Sequence, residues 1–535
     1  MKQAIHIFAK DARRLWLEIA VVLAVTALFA WLYPQTWMPT RSYASMGMEA
    51  GVSVRNTSAL AGLVSVLVPV SWWILMTRLV QSENLVGDRQ WWATKPYEWP
   101  QLLGAKVLFV AVFAGAPLLI AQWVLLARAG FGPLGYLPGQ GYGLLLAAMT
   151  MVLPVAALAV VTSRFGKTVL TGFGVLLALI AALLVVGWRK NGDFSVMLPW
   201  HLADLLAVTT AAAMMFAYAR RRVGLTRWLL AGIFLVGLGM GYLTYSTTVI
   251  EAAYPASAGG VSMRLGMDGS RLATANLAPN LAGKKSVDVS LPVSVTGLGS
   301  EDAVNLDAAQ VTVKALDGRS WTSPWEMENR DHLQAGVADA TIGMVIDEAF
   351  LEAVKAEPVE LDLRFALTRM RAMGTAQVAM EGRDFAVPEF GICSPVPDVL
   401  TSYPTGIRCR AALREPPLTF ISVRWADDGC AEGPAALASG LAGGGWTGAV
   451  EQGPADLNLA AVWSSGLGLS NGIDQEKFGK RGQNPQRYLC PGTPMTFTRY
   501  ALLGRMLTAM TVTNFHVPEW RATGAVVSNR TVILP

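Results

Sequence analysis

Apolar runs dominate the chain up to about residue 247 and then give way to an alternating pattern. A bilayer-spanning helix needs about 20 mostly apolar residues, because each residue rises ~1.5 Å and the hydrocarbon core is ~30 Å thick. Seven segments meet that requirement, near 15–33, 58–80, 104–126, 144–163, 168–188, 202–219 and 228–247. Helix is the expected conformation, since lipid offers no partner to an unpaired backbone N–H or C=O. Pro69, Pro117 and Pro154 fall inside these segments and predict kinks. Gly237 and Gly241 form a small-xxx-small pair that lets helices approach closely. Ahead of the first span, Ile5, Phe8, Ala12, Leu15, Trp16 and Ile19 recur at helical spacing, with Lys2, His6, Lys10, Arg13 and Arg14 on the other face. This pattern predicts an amphipathic helix over 1–14, lying in the membrane interface.

From about residue 250 the period changes to two. Val287, Val289, Leu291, Val293 and Val295 alternate with polar neighbours, as do Val359, Leu361, Leu363, Phe365 and Leu367. Shorter runs follow at Val311–Leu316, Leu418–Val423, Met495–Leu502 and Val526–Leu534, and Asp317-Gly318 is a turn signal. Period two marks half-buried strands, and many short strands between Gly/Pro turns predict a β-sandwich-like domain. The expected fold class is thus an α-helical polytopic membrane domain of about seven spans followed by a mostly-β extracytoplasmic domain. The divisions expected are an interfacial helix at 1–14, a transmembrane domain at 15–249, a first β part at 250–390 and a second, disulfide-bearing part at 391–535.

Charge sets the sidedness. Charged residues are 15% of the chain and hydrophobic ones 53%, against roughly 25% charged in a soluble domain. The net charge of +5 is not gathered into a run that would bind nucleic acid. Instead Lys2, Lys10, Arg13, Arg14, Arg78, Arg89, Lys95, Lys106, Arg164, Lys167, Arg220, Arg221, Arg222 and Arg227 fall on one side of the predicted spans. Only Arg41, Arg55, Arg128, Arg189 and Lys190 fall on the other. The positive-inside rule then places the N-terminus in the cytoplasm and the β domain outside a bacterial-type inner membrane. The first span has no small-residue cleavage site and reads as retained.

All four cysteines, Cys393, Cys409, Cys430 and Cys490, lie in the second β part. An oxidising outer compartment predicts two disulfides, with three connectivities open. The pairing Cys393–Cys409 with Cys430–Cys490 is favoured, because the first bridge closes a short loop rich in proline. Zinc is the rival, but it wants close pairs, and there is no CxxC and no nearby His.

Signals for catalysis are weak. His332 and His516 are isolated, and Asp427-Asp428-Gly429 reads as a solvated turn. No HExxH motif occurs. Gly166-Lys167-Thr168 is no phosphate loop, because the required upstream glycine is Val161 inside a hydrophobic helix. Glu18, His201 and Asp204 sit near span ends, where water satisfies them, so a buried proton relay is not expected. The chain is therefore expected to be no enzyme, with no catalytic residue, metal or cofactor of its own.

The most distinctive segment joins the second and third spans. It holds Glu83, Asp88, Arg89, Trp91, Trp92, Lys95, Pro96, Tyr97 and Trp99, and ends at Lys106. An acid, then Trp92-Ala93-Thr94-Lys95-Pro96, then Leu102-Leu103-Gly104-Ala105-Lys106, all behind an interfacial N-terminal helix, resembles the permease subunits of type-2 ABC exporters. The resemblance covers residues 1–247. It implies that Glu83, Asp88, Arg89, Trp91, Trp92, Lys95, Pro96 and Lys106 form a coupling element seated on a separate cytoplasmic ABC ATPase. It also implies a homodimer or a sister permease, ATP bound only by the partner, and export of an amphipathic or lipid-like substrate. The chain departs from that family in having seven predicted spans rather than six and a large outer domain after the last span. The alternative is a non-transporting membrane anchor or sensor whose outer β domain binds a partner or envelope component.

Overall fold

The computed structural model describes residues 2–37, 48–82, 98–189, 200–220, 222–243, 246–256, 261–265, 274–277, 286–327, 332–334, 340–397, 404–416, 418–425, 445–451, 458–468 and 491–518. The chain packs as two compact units. The first gathers Met1–Leu183, Trp200–Met240 and Met373–Ala501, and the second Leu184–Pro199, Gly241–Ala372 and Leu502–Pro535. These boundaries differ from the divisions at 249/250 and 390/391 read along the sequence. The segment from Met373 packs with the helices rather than with the strands that precede it.

The first unit opens with α1 (Lys2–Arg14) and α2 (Trp16–Leu32), separated by the non-helical Leu15. It continues with α3 (Met48–Gln81), α4 (Trp99–Val110), α5 (Ala116–Arg128), α6 (Leu137–Ala147), α7 (Leu153–Val161), α8 (Phe165–Arg189), α9 (Trp200–Arg220) and α10 (Val223–Leu243). Five stretches are long and apolar enough to cross a membrane: Trp16–Trp37, Ala59–Gln81, Trp99–Arg128, Pro133–Val161 and Phe165–Ala182. The last two apolar helices, described over Leu205–Arg220 and Val223–Gly239, are shorter.

Two of the three prolines distort their helices in a defined way. A π-helical turn, Ala111–Gly115, joins α4 to α5 just before Pro117, and another, Ala148–Val152, joins α6 to α7 just before Pro154. Proline lacks the N–H for the i−4 carbonyl and its ring crowds that carbonyl, so widening the preceding turn relieves both. Pro69 lies within α3, which continues through it.

The second unit begins with α11 (Ser246–Ala253). Its strands are β1 (Ser262–Leu265), β2 (Thr274–Leu277), β3 (Ser286–Thr296), β4 (Asp302–Lys314), β5 (Ser320–Thr322), β6 (Glu326–Met327), β7 (His332–Gln334), β8 (Ala340–Asp347) and the start of β9 (Val359–Ala379). Helix α12 (Glu348–Val354) follows β8, capped by the Asp347 carboxylate on the Phe350 N–H. Strand β3 pairs antiparallel with β1, β2 and β8, while β4 pairs antiparallel with β5, β6, β7 and β9. Val287, Val289, Leu291 and Val293 of β3 meet Val304, Leu306, Val311 and Val313 of β4 in one buried cluster. The alternation read from the sequence thus marks the buried face, as period-two burial requires. The Asp317-Gly318 turn joins β4 to β5 with Gly318 at φ +89°. Strand β9 outruns the predicted 359–367, because beyond Leu367 it is held by backbone pairing with β4 down to Asp302↔Arg371 rather than by an apolar pattern.

In the first unit, β10 (Phe385–Val387), β11 (Gly391–Pro397), β12 (Pro404–Ala412) and β15 (Val462–Gly468) form an antiparallel sheet in that order. Strand β13 (Leu418–Trp425) pairs with β14 (Gly445–Glu451) and with the start of β16 (Pro494–Phe515). Cys393 faces Cys409 across β11 and β12, and the two are disulfide-bonded. Cys430 and Cys490 lie outside the described residues, as does the predicted run Val526–Leu534. Ala412, Leu459, Ala460 and Val462 belong to the same buried cluster as the membrane helices.

Candidate functional site

The face α1 packs with is set by Ile7, Asp11 and Leu15, spaced four apart and almost fully buried. That face is rotated from the stripe read in the sequence, and Ile5 and Trp16 stay exposed. An acid in the packed face must find a cation, and Lys106 of α4 supplies it. Lys106 Nζ donates to Asp11 Oδ2 at 2.8 Å, to the Leu79 carbonyl at 2.9 Å and to Ser82 Oγ at 3.2 Å. All three ammonium protons are therefore used.

The end of α3 is tied in other directions as well. Gln81 Nε2 donates to Thr168 Oγ1 at 2.8 Å and reaches Thr162 Oγ1 at 3.3 Å, and the two hydroxyls lie 2.5 Å apart. Arg78 Nε approaches Glu18 Oε1 at 3.9 Å, and its guanidinium lies over the Phe165 ring. Glu18 thus has an ionic neighbour besides the water expected at a span end. Arg227 Nε donates to the Val161 carbonyl at 3.1 Å. Residues 78–82 are in this way a hub tied to α2, α4 and α8 and to Thr162 at the end of α7, with α1 joined through Lys106, and the loop of interest follows it in sequence.

Of the residues singled out in that segment, Lys106 is placed and buried in the hub, and Trp99 opens α4 and is exposed. Glu83, Asp88, Arg89, Trp91, Trp92, Lys95 and Pro96 lie outside the described residues. Asp11, Gln81, Ser82, Thr162 and Thr168 were missed in the sequence reading. Asp11 carried a usable signal, as a lone acid four residues from both Ile7 and Leu15 in an otherwise basic helix.

The opposite end of the same unit is bonded to its own strands. Gln122 Nε2 donates to the Leu459 carbonyl at 3.0 Å, Tyr136 Oη to the Glu389 carbonyl at 2.9 Å, and the Ile392 N–H to the Ala129 carbonyl at 3.0 Å. Arg410 Nη1 donates to the Arg128 carbonyl at 3.3 Å while its guanidinium lies over Trp37. Arg499, nearly buried, binds both Glu415 oxygens at 2.6 and 2.8 Å. Glu389, at φ +65°, lies 3.3 Å from Arg414. A non-glycine residue in that conformation costs about 1–3 kcal/mol, so the surrounding bonds over-determine it.

His516 is exposed, and His332 lies in β7. Asp427-Asp428-Gly429 lies outside the described residues. Among the described residues no cluster of three His, Cys, Asp or Glu side chains is arranged to hold a metal. No family model matches the chain, and no curated protein matches it.

Proposed function

We propose that this chain is the membrane-spanning permease subunit of an ABC-type exporter. In this reading it has seven spans, a cytoplasmic N-terminus and a β-sandwich-like domain outside the inner membrane. The loop bearing Glu83 to Pro96 docks on a separate cytoplasmic ATPase, which alone binds ATP. The substrate is amphipathic or lipid-like, and the working unit is a homodimer or a pair with a sister permease.

The observation that carries this reading is the hub at residues 78–82. A push on the loop meets a helix end bonded to α1 and α4 through Lys106 and adjoining α7 and α8 through Gln81. Such a platform passes a small displacement to several spans at once, because packed interfaces switch rather than deform. The Cys393–Cys409 bridge supports the outward placement of the β segments, since oxidising compartments preserve disulfides.

Purification of the tagged chain from its native host, followed by assay of ATP hydrolysis in the reconstituted complex, tests the proposal. An ATPase should co-purify, and Glu83→Ala should abolish the stimulation of its activity by the complex. Absence of any associated ATPase, or an unchanged rate in the variant, refutes the reading.

The second reading, a non-transporting anchor or sensor, draws on the other end of the unit. There the strand segment is bonded to the helix ends through Tyr136–Glu389 and Gln122–Leu459, which suits a signal passed from a bound envelope component into the spans. It requires no ATPase, so the same purification separates the two.

A further inference from the structure

Helices α2 and α5 leave a groove of about 400 Å³ along the bundle. Its lining includes the small side chains Ala27, Ala30 and Ala121 and Pro117, two residues after the widened turn Ala111–Gly115. From Leu23 to Trp31 it runs eight residues of α2, or about 12 Å at ~1.5 Å per residue. That volume lies within the roughly 300–1,000 Å³ range of small-molecule sites.

One charged group breaks the apolar lining. At the rim, the Arg128 guanidinium lies 5.5 Å from the centre of the Trp31 ring. Arg128 is exposed, and no carboxylate pairs with it among the described residues. An apolar slot ending at a cation that no carboxylate pairs with among the described residues, beside a tryptophan, matches an acyl chain joined to an anionic headgroup.

We propose that this groove is a binding site for one acyl chain of an anionic glycerophospholipid, whose phosphate is held by Arg128. The lipid belongs to the leaflet at the Arg128 end of the spans, which is the outer one in the orientation proposed above. The site does not depend on an ATPase, so it stands whether the chain transports or not.

Native mass spectrometry of the full chain, exchanged from detergent into either dioleoylphosphatidylglycerol or dioleoylphosphatidylcholine, tests it. One copy of the anionic lipid should be retained with about fivefold preference over the zwitterionic one, the worth of a single interfacial cation. Arg128→Gln should erase that preference while leaving the thermal transition in place. Ala27→Phe, at an exposed position, should fill the slot and eliminate retention of either lipid. Equal retention of the two lipids by the unaltered chain, or an unchanged preference in Arg128→Gln, overturns the proposal. So does full retention in Ala27→Phe.

Discussion

Lys106 Nζ and Asp11 Oδ2 lie 2.8 Å apart with side chains only 6% and 1% exposed, so a buried ion pair fastens the N-terminal helix to the third long apolar stretch. Each charge would be costly to bury alone, and the pair is tolerated because the ammonium is fully hydrogen-bonded. Removing one partner strands the other.

Asp11→Ala or Lys106→Met is therefore expected to cost about 3–5 kcal/mol, and the double substitution less than the sum. In either single variant α1 should loosen, and trypsin should cut at Lys10, Arg13 and Arg14 in conditions where the native chain resists. Thermal unfolding in detergent gives the double-mutant cycle, and the cleavage pattern reports α1 directly. Additive effects in the cycle would mean that the pair does not act as a unit.

Two glycines in one helix turn make a paired test. A Cβ on Gly139 would lie 1.9 Å from the Leu413 carbonyl oxygen, a backbone atom that cannot rotate away. A Cβ on Gly141 meets nothing within 4 Å. Gly139→Ala should destabilise by about 1–3 kcal/mol through forced displacement. Gly141→Ala should be neutral, or stabilising by up to about 1 kcal/mol, as alanine is the better helix former. Thermal unfolding of both variants in the same detergent reads the contrast.

The bridge between Cys393 and Cys409 closes a loop with a sequence separation of 16. Closing a loop of about that length restricts the unfolded chain by about 3 kcal/mol in the chain-entropy account. The double substitution Cys393→Ala/Cys409→Ala should lower stability by about 2–4 kcal/mol. Both cysteines are buried, at 0% and 4% exposed, so reductant should reach them only after unfolding. Alkylation after dithiothreitol treatment, with and without denaturant, checks this by mass.

Two acids on β4 should respond to pH in opposite senses. The bond from Arg369 holds the Asp302 carboxyl below its ordinary value of 3.8, with Arg371 at 3.0 Å adding to it. A lowered acid lends stability that is present above 3.8 and lost as the pH falls through the folded-state value. Burial pushes Asp307 the other way, above 3.8, despite bonds from Thr368, Asn305 and Tyr254. Its ionised form opposes folding, and that penalty eases as the pH falls toward 3.8. Hydrogen exchange across β4, corrected for intrinsic rates, should show an acid-triggered loss of protection near Asp302 that Asp302→Asn lacks. Persistence of the acid step in the variant would assign it elsewhere.

Much of the architecture was legible because its cause is local. Five of the predicted apolar segments are helices of spanning length, since twenty apolar residues in lipid have no other way to satisfy their backbones. The alternation at Val287–Val295 marked the buried face of β3, because neighbouring residues in a strand point to opposite faces. The prolines at 117 and 154 foretold distortion, though not that it would take the form of π turns. The Cys393–Cys409 pairing followed from a short loop.

The hub was not legible, because its bonds join residues far apart in the chain. Lys106 closes the predicted coupling segment, and nothing in its spacing announced the buried bond it makes to Asp11, 95 positions earlier. The segment from Met373 read as a continuation of the β domain, yet it packs with the helices through Gln122, Tyr136 and Ala129. Spacing along the chain tells which face a residue shares. It carries no record of which distant backbone carbonyl or carboxylate completes a buried hydrogen bond, and here those completions choose the compact units and seat the candidate site.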